Sequence, residues 1–217
     1  MSSQEVPRFA AVLNRVRTLA LAADAVVFDL DGVVREFDTE PTRLAANSLG
    51  LESEQFVGVL FAPDVMAKVV VGDTSFAEWA DLSHRKLVEL GAEPESALAA
   101  LRRWEDHRGM PIRETADLIE ELDAIGTPVF VFTNGTDNVA NEMRQVGLAH
   151  LVDSVLNSAE LGVAKPDPRA YAAAHAAIEA RAGHPLERSA VVFTDDREDN
   201  VTAAQAFGWQ AVAFVAD

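Results

Sequence analysis

Five short apolar runs rich in Val, Phe and Ala recur along this chain, at residues 25–30, 128–133, 152–156, 190–194 and 211–215. Each is bounded by turn residues or by a helical pattern, which predicts a buried strand. Helical patterns lie between or before them, at residues 112–125, 137–146, 168–182 and 198–207. Gly147, Gly183 and Gly208 stand where helix C-caps are expected. Strands alternating with helices predict an α/β fold, a doubly wound parallel sheet covered on both faces.

Residues 37–110 break this rhythm. No convincing strand is legible there. Helices are expected at residues 41–49, 52–61, 75–90 and 95–107, with turns at Gly72-Asp73-Thr74 and Gly91-Ala92-Glu93. The expected organisation is an N-terminal helix in residues 1–24, an α/β core built from 25–36 and 111–217, and a helical insertion at 37–110. Phe9, Leu13, Val16 and Leu19 share a helical face, so the first helix is expected to pack on the core rather than serve as a transit segment.

Charge narrows the partners. The formal net charge is −17, and no basic patch is visible. Nucleic acid and anionic membrane are therefore not expected partners. The chain has no Cys, which removes disulfides, thiolate catalysis and Cys-type zinc sites. No apolar run is long enough for a bilayer. A cytoplasmic location is expected, and the oligomeric state is left open.

In an open α/β sheet, ligands bind beyond the carboxyl ends of the strands. Here those ends carry Asp29 and Asp31, then Thr133-Asn134-Gly135, then Lys165, then Asp195-Asp196. Four carboxylates at one rim repel, and a hard divalent cation, Mg²⁺ first, would neutralise them while leaving room for a phosphate oxygen. Lys165 adds fixed positive charge, Thr133 a hydroxyl, and the N–H groups near Asn134 and Gly135 are expected to open a helix that favours anions. A carboxylate in line with phosphorus can attack it, and a second one can move protons to and from the oxygens. Asp29 and Asp31 would share a face if the strand continued through them. Arg35, just after the first strand, is expected to help read the substrate.

Asp29-Leu30-Asp31-Gly32-Val33, Thr133, Lys165 and Asp195-Asp196, in that order, resemble the four motifs of the haloacid dehalogenase superfamily. The likeness covers nearly the whole chain from Ala25. It implies a Rossmann-like core with an inserted α-helical cap, Asp29 as nucleophile and Asp31 as acid/base. It also implies Mg²⁺ held by Asp29, the backbone carbonyl of Asp31, and Asp196, with Asp195 in or near the next layer. Asn200 stands where some members carry another acid, and is expected to orient a loop or hold Lys165. The implied activity is hydrolysis of a small phosphorylated metabolite, of a sugar-phosphate kind, through an aspartyl-phosphate.

Other readings remain beside this one. Each motif alone has a plain structural explanation: Asp195-Asp196 and Thr133-Asn134-Gly135 can cap helices, and Lys165 can be a surface residue. Trp79 and Trp104 are expected in the core of the insertion, or one of them in the substrate pocket. The five His residues lack zinc spacing, and no nucleophile elbow or Walker loop occurs. A haloalkanoate dehalogenase would have no use for Asp31 as an acid. A sugar phosphomutase would share the core and differ in acceptor. A phospho-accepting receiver module would place its acid pair first in the chain, whereas here the pair comes last.

Overall fold

The structure, a computed structural model, describes residues 8–217. The first seven residues of the expected N-terminal segment lie outside the described residues. Seven strands occur among the described residues: β1 Ala25–Phe28, β2 Arg35–Glu36, β3 Met110–Pro111, β4 Val129–Thr133, β5 Val155–Asn157, β6 Val191–Asp195 and β7 Gln210–Ala213. Five of them form one parallel sheet in the order β5-β4-β1-β6-β7. The chain builds outward from β1 on one side, through β4 and β5, then returns to the other side for β6 and β7. The connection therefore reverses at β1, and a crevice opens beyond the ends of β1, β4 and β6.

Helices cover both faces, as the alternation predicts. On one face lie α1 Ala10–Ala20, α7 Arg113–Ala124 and α8 Val139–Gln145. Their apolar residues meet Val26, Phe28, Val131 and Val192 from the sheet. The other face meets α10 Pro168–Ala182 and α11 Glu198–Phe207 through Val27, Phe132, Tyr171, Phe193 and Trp209. Both of those helices end on glycines in the left-handed region, Gly183 and Gly208, as expected. Helix α1 packs its buried Val12, Leu13 and Val16 on the core, and Phe9 stacks on Phe214 at 4.5 Å.

Residues 152–156 differ from expectation. Residues Ala149–Ser154 form a 3-10 helix, and only residues 155–157 ladder onto β4. Leu151 and Val152 still reach the core. Burial alone satisfied that apolar run, and a short run carries no period to distinguish strand from turn of helix.

The insertion consists of α2 Glu40–Ser48, α3 Ser53–Leu60, α4 Pro63–Val69, α5 Phe76–Glu89 and α6 Pro94–Glu105. It encloses its own apolar cluster around Phe56, Leu60, Trp79, Leu87 and Leu101. Ser75 and Glu78 form a capping box that starts α5. Two features were missed. Helix α4 is short and begins at Pro63, in its first turn. The expectation of no strand also fails at its last residue: β3 pairs antiparallel with β2, so the two chain crossings into the insertion are tied as a ribbon. Two-residue strands carry no readable alternation.

Candidate active site

The β1 ladder stops at Phe28, and Asp29 is the next residue, its N–H donating to the Thr194 carbonyl at 2.8 Å. That bond holds the Asp29 backbone against the end of β6. Its side chain is buried with one oxygen 2.8 Å from the Lys165 ammonium. Lys165 arrives from the loop after the short α9, Ser158–Leu161. Its three donors are all engaged: Asp29, Asp195 at 2.6 Å and the Phe132 carbonyl at 2.7 Å. One lysine thus joins the ends of β1, β4 and β6.

Asp195 is fully buried and saturated. Its oxygens accept from Lys165, from the Arg197 N–H at 2.9 Å and from the Asn200 amide at 3.0 Å. Asn200 therefore orients Asp195; it does not hold Lys165, which was one of the two expected roles. Asp196 lies at the exposed rim, and oxygens of Asp29, Asp195 and Asp196 all fall within 4.8 Å of one another. Burial pushes the Asp29 carboxyl up to about 7, the neighbouring Lys165 opposing this and Asp195 adding to it. Partial desolvation, then Asp195, raises Asp196 as well. Three carboxylates facing one ammonium leave uncompensated negative charge.

Gly32 explains how Asp196 comes so close. It has φ +86°, and a Cβ there would stand 2.6 Å from Asp196 Oδ2. The glycine serves both the left-handed turn and the approach of the carboxylate. The sequence offered this signal, a glycine after the Asp-x-Asp pair, but not its target.

The strand has ended before Asp29 and Asp31, so strand alternation does not relate their side chains, although the Asp31 charge is near enough to help raise Asp29. A tight turn follows, with Val34 and Arg35 N–H groups donating back to the Leu30 carbonyl at 2.9 Å. The Asp31 side chain is about half exposed and is held by the Arg35 guanidinium. Arg35, expected to help read the substrate, is buried between Asp31 and Glu142, at 3.0 Å from the latter, and borders the cavity between the strand ends and the insertion. Burial opposes its charge, yet Asp31 and Glu142 together hold its pKa above the ordinary value. Glu142 was not anticipated. Its signal was a lone acid on the buried face of α8, beside Val139 and Met143.

Thr133 is buried at the end of β4. Asn134 lines the cavity and is tied to the loop that carries Lys165. Its amide donates to the Lys165 carbonyl and accepts from the Lys165 N–H, both at 2.8 Å. The expected helix opening at Asn134 and Gly135 is also absent: residues 134–138 form a loop and α8 begins at Val139. Thr136 Oγ1 accepts from the Asn138 N–H at 3.1 Å, and Asn157 donates to the Thr136 carbonyl at 2.7 Å. Those local bonds hold the segment as a turn.

A cavity of about 270 Å³ lies between the strand ends and the insertion. Asp31, Asn134, Gly135 and Thr136 face it from the core, and Phe61, Phe76, Trp79 and Trp104 from the insertion. Both readings of the tryptophans thus hold: they pack in the cluster of the insertion and also wall the cavity. No helix among the described residues is long and apolar enough to cross a membrane.

Comparison with known proteins agrees with this geometry. The pattern of the haloacid dehalogenase-like hydrolases matches residues 23–208. A Mycobacterium tuberculosis protein named phosphatase MT3486 is 32% identical over 197 residues, covering 88% of this chain and 87% of that protein. A haloacid dehalogenase family enzyme of Bacteroides thetaiotaomicron, crystallised with magnesium and inorganic phosphate, superposes with a TM-score of 0.63 at 21% identity, over 87% of this chain and 92% of that one. The L-2-haloacid dehalogenase of Xanthobacter autotrophicus gives 0.60 at 23% identity, over 88% and 77%.

Proposed function

This chain belongs to the haloacid dehalogenase-like hydrolases, and within that family we propose that it is a Mg²⁺-dependent phosphatase acting on a small organic phosphomonoester through Asp29. The observation that carries the reading is the Asp29, Asp195, Asp196 cluster gathered on Lys165. The 32% identity to a protein named as a phosphatase supports it.

The donor set fits a hard divalent cation. All ligands on offer are oxygens, the carboxylates outnumber the one ammonium, and Gly32 clears space beside Asp196. Asp29 and Asp196, with the backbone carbonyl of Asp31, would hold the ion; Asp195 is already saturated by hydrogen bonds and acts as their support. Bound Mg²⁺ would neutralise the carboxylates and screen the charge of the phosphate.

In this reading Asp29 uses its oxygen to attack phosphorus, and the P–O bond to the leaving alcohol breaks. Asp31 protonates the departing oxygen. It then takes a proton from the water that attacks the aspartyl-phosphate, which releases inorganic phosphate and restores Asp29. Lys165 keeps Asp29 aimed and offsets charge; Thr133 and the backbone N–H groups after it face the phosphoryl oxygens. To move a proton, Asp31 must leave Arg35. Residues 37–110 form the cap that closes over the leaving group.

Asp31 favours this reading over a dehalogenase, since a departing halide takes no proton. Phosphate release from a panel of phosphomonoesters, with Mg²⁺ and with EDTA, tests the proposal. Release that requires Mg²⁺ is expected. Halide release from 2-haloacids, unaffected by EDTA, would overturn it.

A further inference from the structure

Arg35 and Arg108 flank the same carboxylate, yet they are placed differently. Asp31, Arg35, Glu142 and Arg108 form a chain of alternating charge along the wall of the cavity. Arg35 sits inside this chain and is hydrogen-bonded on both sides. Arg108 ends it. Its guanidinium is more than nine-tenths buried, and its nearest carboxylate oxygen, on Glu142, is 3.7 Å away, beyond hydrogen-bond reach. No other acceptor among the described residues hydrogen-bonds to that group. Burial pulls its pKa down, and Glu142 and the more distant Glu105 only partly offset this.

Two aromatic rings lie beside this guanidinium. Its central carbon lies 4.9 Å from the Trp104 ring centroid and 5.2 Å from that of Phe76. Cation–π contacts of this kind hold the charge in place without using its N–H donors, which border the cavity. A buried cation with unfilled donors is costly unless something satisfies them. On the side of the insertion the cavity wall is aromatic, with Phe61 and Trp79 beside the same two rings, while the polar lining, Asp31, Asn134 and Thr136 among it, comes from the core. A ring-sized apolar body fits against the aromatic side. The volume suits a single ring with substituents rather than a nucleotide.

We propose that the cavity selects a leaving group with an apolar, ring-sized body and a carboxylate, and that the carboxylate is bound by Arg108. The proposal rests on the phosphatase reading for the direction of the substrate, with phosphate at Asp29 and the carboxylate at the far end. Arg108 is a specificity residue in this arrangement, and the planar fork of a guanidinium matches a carboxylate through two parallel bonds.

Binding can be measured without turnover, because Trp79 and Trp104 wall the cavity and report by fluorescence. The probes are 4-hydroxybenzoate and its uncharged isostere 4-hydroxybenzamide, titrated into the whole chain. The benzoate is expected to bind at least about tenfold more tightly. Arg108→Gln should bring the ratio close to one. Arg108→Lys, which keeps the charge but not the fork, should leave an intermediate ratio, and it stands in if the glutamine variant does not fold. Equal affinities in the unaltered protein, or a ratio that survives both substitutions, would overturn the assignment. Hydrolysis separates this from the underlying reading. If 4-carboxyphenyl and 4-carbamoylphenyl phosphate are turned over equally well, the enzyme is a phosphatase and the pocket assignment fails. If neither releases phosphate while the binding preference persists, the pocket stands and the phosphatase reading falls.

Discussion

At the scale of single residues, Asp29 carries two opposed demands. As the proposed nucleophile it must be ionised to attack, yet burial holds its carboxyl near pH 7 in the metal-free protein, far above the ordinary range of about 4. Between those values the folded protein keeps a proton that the unfolded chain has lost. The contribution of this group to stability therefore falls as pH rises through about 4 to 7. Asn at this position cannot ionise. Metal-free Asp29→Asn should accordingly melt at a higher temperature than the parent at pH 8, with the gain vanishing toward pH 4. Its turnover should fall at least about 1000-fold. A variant with normal turnover would remove Asp29 as nucleophile. Asp196 and Gly32 form a second pair of linked positions. Asp196→Ala removes a proposed ligand, and Gly32→Ala drives a Cβ into the place of Asp196 Oδ2. Both should raise the Mg²⁺ concentration for half-maximal activity at least about tenfold. An unchanged Mg²⁺ titration for either would count against the ligand set.

At the scale of elements, the insertion is positioned by a small number of contacts. The β2–β3 ribbon ties both crossings, and the Phe76 N–H at the start of α5 donates to Asp137 beside α8 at 2.7 Å. Gly72 meets the core directly: with φ +79°, a Cβ there would lie 2.4 Å from the Ala159 carbonyl oxygen. Backbone cannot yield as a flexible side chain would. Gly72→Ala should therefore lower stability by about 1–3 kcal/mol, read by chemical denaturation, and should raise KM more than it lowers kcat, because it shifts the cavity wall and not the strand ends. An equal change in kcat would place the reacting groups, not the wall, under the influence of that contact.

For the whole molecule, charge and metal act together. A chain of net charge −17 repels itself, and a cation bound among its buried carboxylates should stabilise the folded state by mass action, about 2.7 kcal/mol at a hundred times Kd. Mg²⁺ should raise the melting temperature and support turnover. Ca²⁺ should raise it too but inhibit, since its larger shell accepts both oxygens of a carboxylate and would occupy Asp29. Full turnover in Ca²⁺ alone would argue against an ion that leaves one Asp29 oxygen free.

The α/β class, the helices at Pro168–Ala182 and Glu198–Phe207, and the glycines that end them were legible in the sequence. Period and cap chemistry are local, and local patterns are what a sequence displays. So were Asp29, Thr133 and Asp195-Asp196 at the strand ends, because they stand at or just past the end of an apolar run, whereas Lys165 comes from the loop after α9. Distance and direction were not legible. That Lys165 spends all its donors inside the protein, that Asn200 holds Asp195, and that Asp31 turns to Arg35 depend on how loops far apart in sequence meet. Arg108 looked like any charged residue beside a glycine. Only packing placed its guanidinium beside two rings with no hydrogen-bond acceptor among the described residues, since burial and hydrogen bonding are properties of neighbours that the chain brings together last.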